Sequence, residues 1–178
     1  MTLGKPSIVG ITGSAQVGKS TVAKYLAEHY GYSVIKFADP LKDMLRALGL
    51  GDYEIEGAGK NRPCDLLGGH TPRFAMQSLG TEWGREIMGE NFWIDAWSRK
   101  VGHGLGGYVV SDDLRFCNEE FACRLVGGVI WRIERPGYGG IDQHRSETEL
   151  NLVRYDRLFV NKGSVEDLLA KVRKELEG

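Results

Sequence analysis

The sequence predicts an α/β fold, one domain in which a parallel sheet of about five short strands is covered by helices on both faces. Three observations lead to this prediction. Short apolar runs rich in β-branched residues alternate with segments of helical periodicity, which is typical of parallel sheets. A glycine-rich segment joins the first apolar run to the first helical segment. With 178 residues, the chain is long enough for one such domain.

The first half of the chain predicts two strands and four helices. The apolar run SIVGIT, residues 7–12, is the first strand, and the helix after it ends at Gly31, where the helical periodicity stops. Residues 49–72 hold six glycines and two prolines, so we predict an irregular excursion there. The other predicted elements are a strand at 33–38, a helix opened by Pro40 at 40–49, and helices at 72–88 and 91–99.

The second half predicts three more strands and two helices. A helix at 118–126 separates two of the strands, and an irregular segment at 135–149 precedes the last one. The final helix begins at Ser164, whose hydroxyl forms with Asp167 the pattern of a capping box. The three strands are predicted at 108–111, 128–134 and 157–160.

The segment GSAQVGKS, residues 13–20, satisfies the phosphate-binding pattern GxxxxGK[ST]. Glycines let successive backbone N–H groups turn inward on an anion, and the helix N-terminus beyond them adds positive potential. Lys19 can follow charge on the β and γ phosphates, and Ser20 can bind Mg²⁺. We therefore predict a P-loop that holds a nucleoside triphosphate, within a three-layer P-loop NTPase sandwich. The predicted contacts come from Gly13, Ala15, Gln16, Val17, Gly18, Lys19, Ser20 and Thr21.

Two other segments narrow the nucleotide chemistry. Asp112 and Asp113 directly follow the predicted strand YVVS, where a P-loop protein carries the acid that holds the magnesium shell, so both are candidates for that role. The segment NKGS, residues 161–164, supplies only the first two letters of the guanine-reading pattern NKxD. Because the aspartate that pairs with guanine is missing, specificity for GTP is disfavoured.

The segment TPRFAMQSLGTEWGREI predicts a two-sided helix. We expect the apolar side to pack, and the opposite side to present two guanidinium forks and an amide. Planar arginine forks suit a phosphate acceptor better than a neutral hydroxyl compound. The apolar stripe is Ala75, Leu79, Trp83 and Ile87, and the polar stripe is Arg73, Gln77, Thr81 and Arg85.

Arginines border the second irregular segment. Arg132, Arg135 and Arg145 flank RPGYGGIDQHR, which its glycines make mobile. We interpret this segment as a closing lid that screens charge on the transferred phosphoryl group and expels water.

The charge and composition exclude several classes of function. The net charge is −1, with 23 basic and 24 acidic residues that are mixed along the chain, which disfavours partners such as nucleic acid or an anionic membrane. No apolar run approaches the ~20 residues of a membrane span, and the first residues do not resemble a secretory signal. We therefore expect a cytoplasmic protein. Three cysteines and four histidines show no zinc-binding spacing.

The chain resembles the bacteriophage-type deoxynucleoside monophosphate kinases. The resemblance rests on the P-loop, FADPLK, LGTEWGR, DDLRFCNEE, HRSE and DRLFVNKGS, which occur in this order across nearly the whole chain. It implies a single P-loop kinase domain, residues 1–178, with an acceptor-binding insertion at about 49–100 and a lid at about 135–150. It also implies transfer of the γ-phosphoryl group of ATP to a deoxynucleoside 5′-monophosphate with Mg²⁺, a viral or prophage source whose product acts in the host cytoplasm, and a homodimer.

The resemblance also implies roles for individual residues. Lys19, Asp39, Arg132 and Arg135 would serve catalysis, with the two arginines stabilising the transferred group. Asn161 and Gly163 would touch the adenine of ATP. Asp113, which directly precedes Leu-Arg, is the better match to the family's acid, with Asp112 as the alternative. The acceptor would be bound by Asp39, Lys42, Arg73, Gln77, Glu82, Arg85, Trp93 and Arg115.

Two other readings of the sequence remain open. Asp156 to Ser164 fit D-x-x-x-x-N-x-G-S, which has relatives among small-molecule kinases that resemble dephospho-coenzyme A kinase or phosphomevalonate kinase. A nucleotide-binding switch or a nucleic-acid-handling ATPase is the less favoured alternative, because the well-mixed charge offers no basic track. Only the favoured reading predicts that deoxynucleotides are consumed.

Overall fold

The computed structural model describes residues 5–103, 107–138 and 149–178. Its described part contains a five-stranded sheet in the order β2-β3-β1-β4-β5, in which all pairings are parallel. The predicted α/β fold is therefore confirmed. The strands are β1 (Ile8–Thr12), β2 (Tyr32–Val34), β3 (Tyr108–Leu114), β4 (Val129–Glu134) and β5 (Arg157–Val160).

Seven α-helices and one π-helix accompany the sheet in the described residues. The π-helix, Leu79–Met88, directly continues the fourth α-helix. Three single-turn 3₁₀ segments lie at Ala58–Asn61, Asp65–Leu67 and Glu149–Leu152. The α-helices are α1 (Lys19–Tyr30), α2 (Asp39–Ala47), α3 (Asp52–Ile55), α4 (Pro72–Ser78), α5 (Phe92–His103), α6 (Cys117–Leu125) and α7 (Val165–Glu177).

The chain divides into two compact units. The first unit joins residues 1–36 to residues 97–178 and contains the whole sheet, and the second unit is residues 37–96. The lid predicted at about 135–150 falls largely on 139–148, which lie outside the described residues. The limits of an acceptor-binding insertion and of a lid therefore stay predictions.

The core of the first unit is built around β1. All five residues of β1 are buried, as expected for a central parallel strand that is covered on both faces. Val9 and Ile11 point into a cluster formed with α1 and α7. Gly10 points to the opposite face, where a side chain would meet Leu114, Ile130 and Cys123 of α6. The sheet thus has helices on both faces, as the sequence predicts.

The second unit has its own small core. Leu45, Leu50 and Ile55 are buried there. Side chains of the 3₁₀ turn Asp65–Leu67, of α4 and of the π-helix pack against them. The excursion predicted as irregular is therefore partly ordered into α3 and two 3₁₀ turns.

Two strand boundaries differ from the prediction by more than one residue. β2 ends at Val34 rather than at residue 38, and only the Ile35 N–H still continues the ladder, by donating to the Val110 carbonyl. β3 runs on to Leu114 rather than ending at Ser111. The two aspartates that were expected to follow the strand therefore lie within it. No helix in the described ranges is both long and apolar enough to span a bilayer.

Candidate active site

The loop between β1 and α1 adopts a glycine-dependent conformation. Gly13 and Gly18 have φ angles of 138° and 111°, which disfavour any residue with a side chain. A Cβ at Gly13 would lie 2.2 Å from the carbonyl oxygen of Ile133 on β4, so the loop starts in direct contact with the neighbouring strand. Gln16, at the tip, has a φ of 64° and is exposed. Such strain in a non-glycine residue is common at functional loops.

Lys19, the first residue of α1, lies against the loop rather than extending into solvent. Its side chain is buried, and its ammonium donates to the carbonyl oxygens of Gly13 and Ser14, both at 2.6 Å. Ser20 is exposed and Thr21 is half-buried on the first turn of the helix. The lysine, the hydroxyl groups and the helix N-terminus thus occupy one end of the loop, as a phosphate site requires.

β3 carries an extra residue beside the P-loop strand. Its register against β1 shifts between Ser111 and Leu114, which places a β-bulge at Asp112 and Asp113. Asp112 is buried, whereas Asp113 is half-buried. A bulge re-aims side chains at the end of a strand, and bulges are frequent next to active sites.

Asp112 pairs with a lysine that the sequence analysis did not single out. Lys36 Nζ lies 3.1 Å from Oδ1 and 3.4 Å from Oδ2 of Asp112, and the longer contact is the one with hydrogen-bond geometry. Asp112 Oδ1 therefore receives no hydrogen bond from the described residues, although it is buried. Lys36 could have been predicted as a partner of Asp112 from its position just past β2, a strand that neighbours β3. That prediction requires the strand order, which the sequence pattern does not give.

The residues present fit a magnesium–triphosphate complex. Mg²⁺ in such sites typically keeps waters and substrate phosphates as ligands, with one or two protein groups. Ser20 supplies an exposed hydroxyl, and Asp112 Oδ1 supplies a carboxylate oxygen that lacks a donor. No cluster of three or more His, Cys, Asp or Glu that could hold a metal is present among the described residues.

Asn161 and Gly163 lie between β5 and α7. Asn161 is buried, and its side-chain amide donates to the carbonyl oxygen of Val17 in the P-loop at 2.9 Å. A Cβ at Gly163 would lie 2.2 Å from Asp167 Oδ2, so this glycine accommodates the start of the helix. The capping box predicted for Ser164 and Asp167 is present.

The two arginines predicted to stabilise the transferred group differ in their environment. Arg132 lies within β4 and donates to Glu134 Oε1 at 2.9 Å, with longer bonds to the 3₁₀ turn that follows residue 148. Arg135 follows the end of β4, and its guanidinium lies 4.4 Å from the ring centroid of Tyr138. Arg145 falls outside the described residues. Arg132 pairs in the sheet with Thr12, the last residue of β1, and Arg135 directly follows the last residue of β4.

The second unit contains most of the residues predicted to bind the acceptor. Asp39 is the first residue of α2, and Lys42 on the same helix is buried, with Nζ 2.6 Å from Glu56 Oε1. Arg73, at the start of α4, donates from Nε to Asn61 Oδ1 at 2.6 Å. Glu56 and Asn61 had no signal in the sequence, because they lie in a segment without periodicity.

The expected division of the LGTEWGR helix into a packed apolar side and an open polar side is wrong. Ile87 is 72% exposed, whereas Thr81 and Arg85 are 4% and 3% exposed. The cause is the π-helix, in which four residues advance about 330° instead of the roughly 400° of an α-helix. A stripe drawn with α-helical spacing therefore leaves the buried face after residue 79. Arg85 donates to the carbonyl oxygen of Glu90 at 3.0 Å.

Trp93 is part of the packing of the π-helix. It is buried, its indole N–H donates to the Gly80 carbonyl at 2.7 Å, and a Cβ at Gly84 would lie 2.2 Å from Nε1. The predicted stacking of Trp93 on a base is therefore not favoured. Gln77 is half-buried and Glu82 is exposed on the same helical segment.

Two glutamates of the DDLRFCNEE segment stabilise the fold around helix α6. Glu119 is buried and accepts hydrogen bonds from the backbone N–H groups of Arg115 and Phe116, which closes the first turn of α6. Glu120 is also buried, and its carboxylate forms ion pairs with Arg124 and Arg154. The half-buried side chain of Arg115 thus starts from a backbone that is fixed beside the aspartate pair.

The first unit therefore contains the P-loop, the two aspartates, Asn161, Arg115, Arg132 and Arg135 on the sheet and its connections, and Arg132 also donates to Glu134. The second unit holds Asp39, Lys42, Arg73, Gln77, Glu82, Arg85 and Trp93.

Comparison with known proteins identifies relatives. A family model described as deoxynucleotide monophosphate kinase matches residues 70–172. A protein of Acanthamoeba polyphaga mimivirus, provisionally named deoxynucleotide monophosphate kinase, is 32% identical over 183 residues, which cover 93% of this chain and 93% of that protein. The deoxynucleotide monophosphate kinase of Escherichia phage RB69 is 28% identical over 107 residues, 58% of this chain and 44% of that protein. Among solved structures, an APS kinase of Mycobacterium tuberculosis aligns with a TM-score of 0.43 at 16% identity, over 98% of this chain and 99% of that one.

Proposed function

The chain belongs to the deoxynucleotide monophosphate kinase family, and from this premise we propose that it transfers the γ-phosphoryl group of ATP to a deoxynucleoside 5′-monophosphate, giving ADP and the diphosphate. The observation that supports the proposal most directly is the P-loop, in which Lys19 lies against a loop that ends in the N-terminus of α1. Family membership is the basis for the proposed acceptor, and the P-loop is the basis for the proposed donor site.

The donor is proposed to bind to the first unit. The backbone N–H groups of the loop from Gly13 to Thr21 would surround the β and γ phosphates, and Lys19 would exchange its two carbonyl contacts for phosphate oxygens. A contact between an ammonium and a phosphate joins two opposite charges, whereas a contact with a carbonyl joins a charge to a dipole, and this difference favours the exchange. Ser20 and Asp112 would hold Mg²⁺ and its waters, with Asp113 as the alternative acid.

Bound Mg²⁺ would neutralise charge on the β and γ phosphates. The protein's own contribution is to hold both reactants in line and to offset the repulsion between two anions. The acceptor phosphate is already ionised near neutral pH, so it needs little help from a general base. Arg135 at the end of β4 and Arg115 after β3 are proposed to supply positive charge to the reacting phosphates.

The acceptor is proposed to bind to the second unit. Arg73 and Gln77 on α4 and Glu82 on the π-helix would contact the monophosphate and its sugar or base. Lys42 would contribute charge, with Asp39 beside it at the start of α2. Arg85 is buried, so we assign it the role of supporting this surface.

A coupled assay of ADP release tests the proposal. Purified protein with Mg²⁺ and ATP is offered dAMP, dGMP, dCMP and dTMP, their ribose counterparts, dephospho-coenzyme A, phosphomevalonate and a well without acceptor. We expect release that depends on one or more deoxynucleotides. Equal release in all wells would indicate an ATPase, and release with dephospho-coenzyme A or phosphomevalonate alone would indicate the alternative kinases.

A matched pair of lysine variants makes the assay specific to the P-loop. Lys19→Ala should lower turnover by about 100-fold or more, because charge on the transferred group loses its nearest ammonium. Lys24→Ala removes a lysine from the same helix, where Lys24 is exposed and makes a surface ion pair with Glu28, and should leave turnover unchanged. Wild-type turnover in Lys19→Ala would refute the P-loop assignment.

A further inference from the structure

Asn161 joins the end of the sheet to the P-loop. Its backbone N–H donates to the Glu134 carbonyl at 2.7 Å, which fixes its Cα at the ends of β4 and β5. From there its side-chain Nδ2 donates to the Val17 carbonyl at 2.9 Å, and the residue is only 7% exposed. Asn161 is thus anchored on one side by the sheet and contacts the loop on the other.

The rest of the NKGS segment is explained by the start of α7. Gly163 has no room for a Cβ because Asp167 Oδ2 would lie 2.2 Å away. That carboxylate in turn accepts from the backbone N–H and the hydroxyl of Ser164. The Lys162 side chain is exposed. Asn161 is therefore the residue of this segment whose side chain acts on the P-loop.

The contact with Val17 determines the direction of a phosphate-binding donor. In a trans peptide unit the carbonyl group of one residue and the N–H group of the next point in opposite directions. By holding the Val17 carbonyl, Asn161 directs the Gly18 N–H away from itself. A residue with a side chain does not fit at Gly18, because a Cβ there would lie 2.9 Å from Leu168 Cδ2 and 3.3 Å from Asn161 Nδ2.

We infer that Asn161 is a positioning residue that orients the P-loop peptide Val17–Gly18 toward the triphosphate, instead of a residue that binds the adenine base. The inference rests on the proposed binding of a nucleoside triphosphate by this loop. It assigns Asn161 to the phosphate part of the donor, which is common to all nucleoside triphosphates. A base contact, the role that the family resemblance implies, is the competing possibility.

Inorganic tripolyphosphate separates the two roles, because it carries the phosphates of ATP without the base. Calorimetry measures the Kd of Mg²⁺–ATP and of Mg²⁺–tripolyphosphate for the wild-type chain and for Asn161→Ala. A lost positioning bond should weaken both ligands by the same factor, about tenfold. Loss of a base contact would weaken ATP alone and would overturn the inference, as would unchanged affinity for both ligands.

Two further variants keep the test specific. Asn161→Asp preserves the size of the side chain but places an ionised acceptor against the Val17 carbonyl, so it should weaken both ligands more than Asn161→Ala does. Lys162→Ala, at the exposed neighbour, should change neither Kd. A purely structural role for Asn161 would lower the melting temperature and leave both Kd values intact at a temperature well below melting.

The outcomes also distinguish this inference from the proposed function. If the wild-type chain binds neither ATP nor tripolyphosphate, the nucleoside triphosphate site and the inference both fail. If it binds both ligands, and Asn161→Ala weakens both equally, the inference holds even when no deoxynucleotide is phosphorylated in the coupled assay. In that case only the proposed acceptor is wrong.

Discussion

At the scale of single residues, the ion pair between Lys36 and Asp112 joins a buried carboxylate of β3 to the chain just past β2. The Asp112 side chain is 2% exposed and that of Lys36 is 22% exposed, so the pair is mostly shielded from water. A buried carboxylate that loses its cation bears the full cost of desolvation. Lys36 therefore offsets the cost of burying the Asp112 carboxylate.

We expect Lys36→Met to lower the free energy of unfolding by about 2 kcal/mol, a value reduced from that of a fully buried pair because Lys36 is partly exposed. Urea denaturation followed by circular dichroism measures the change. The double variant Lys36→Met with Asp112→Asn should recover part of the loss, because it removes the uncompensated charge. A single variant as stable as the wild type would show that Asp112 does not depend on this lysine.

At the scale of elements, the π-helix determines which side chains of the second unit face inward. Its wider turn is seen in the bond from the Gly89 N–H to the Gly84 carbonyl, which spans five residues. Trp93 fills the space over Gly80 and Gly84, so the π-helix and the tryptophan require each other. Such helices occur frequently at functional sites.

Gly84→Ala should disrupt this arrangement, because the added Cβ would lie 2.2 Å from Trp93 Nε1. We expect a loss of about 1–3 kcal/mol in the free energy of unfolding and a raised KM for the acceptor with little change in the KM for ATP. Gly102→Ala on α5 is the matched control, since a Cβ there meets no atom of another described element within 4 Å. Equal effects of the two substitutions would contradict the role of the Gly84–Trp93 contact.

The capping box of α7 predicts a dependence of stability on pH. The backbone N–H and the hydroxyl of Ser164 hold the pKa of the Asp167 carboxyl below its ordinary value. A depressed pKa in the folded state contributes stability that is present above about pH 4 and is lost as the pH falls further. Melting curves between pH 6 and about pH 2.5 should therefore show a steeper acid loss for the wild type than for Asp167→Asn. Glu166→Gln, which removes the neighbouring carboxyl and keeps the bonds between Ser164 and Asp167, is the matched control.

Local patterns predicted the elements and the P-loop, because each depends on residues close together in the sequence. The loop from Gly13 to Ser20 and the capping box at Ser164 both appear where the pattern places them. The partnership of Lys36 with Asp112 requires knowledge that β2 and β3 are neighbours, which the pattern does not contain. The sequence predicts an open face for Arg85 because a π-helix has no simple sequence signature. The π-helix is favoured by tertiary packing against Trp93, which local spacing does not reveal.

At the scale of the whole molecule, the division into two units suggests that the two substrates protect different parts of the chain from hydrogen exchange. A nonhydrolysable ATP analogue should slow exchange in peptides covering residues 13–21 and 161–168, since Asn161 links these segments. The best deoxynucleotide from the coupled assay should slow exchange in peptides within residues 37–96. Mass spectrometry of exchanged peptides measures both patterns. Protection by the acceptor that is confined to the first unit would contradict the assignment of its binding residues.

The strand order has a consequence that does not depend on the P-loop motif. The chain leaves β1 toward β2 on one side of the sheet and later crosses from β3 to β4 on the other side. Helix α1, which follows β1, and helix α6, which follows β3, therefore cover opposite faces. The carboxyl ends of β1 and β3 are the topological switch point, where connections diverge and leave a crevice. The loop at Gly13 and the bulge at Asp112 thus lie where chain topology alone would put a ligand, so a change in substrate could evolve by altering these two connections while the sheet stays the same.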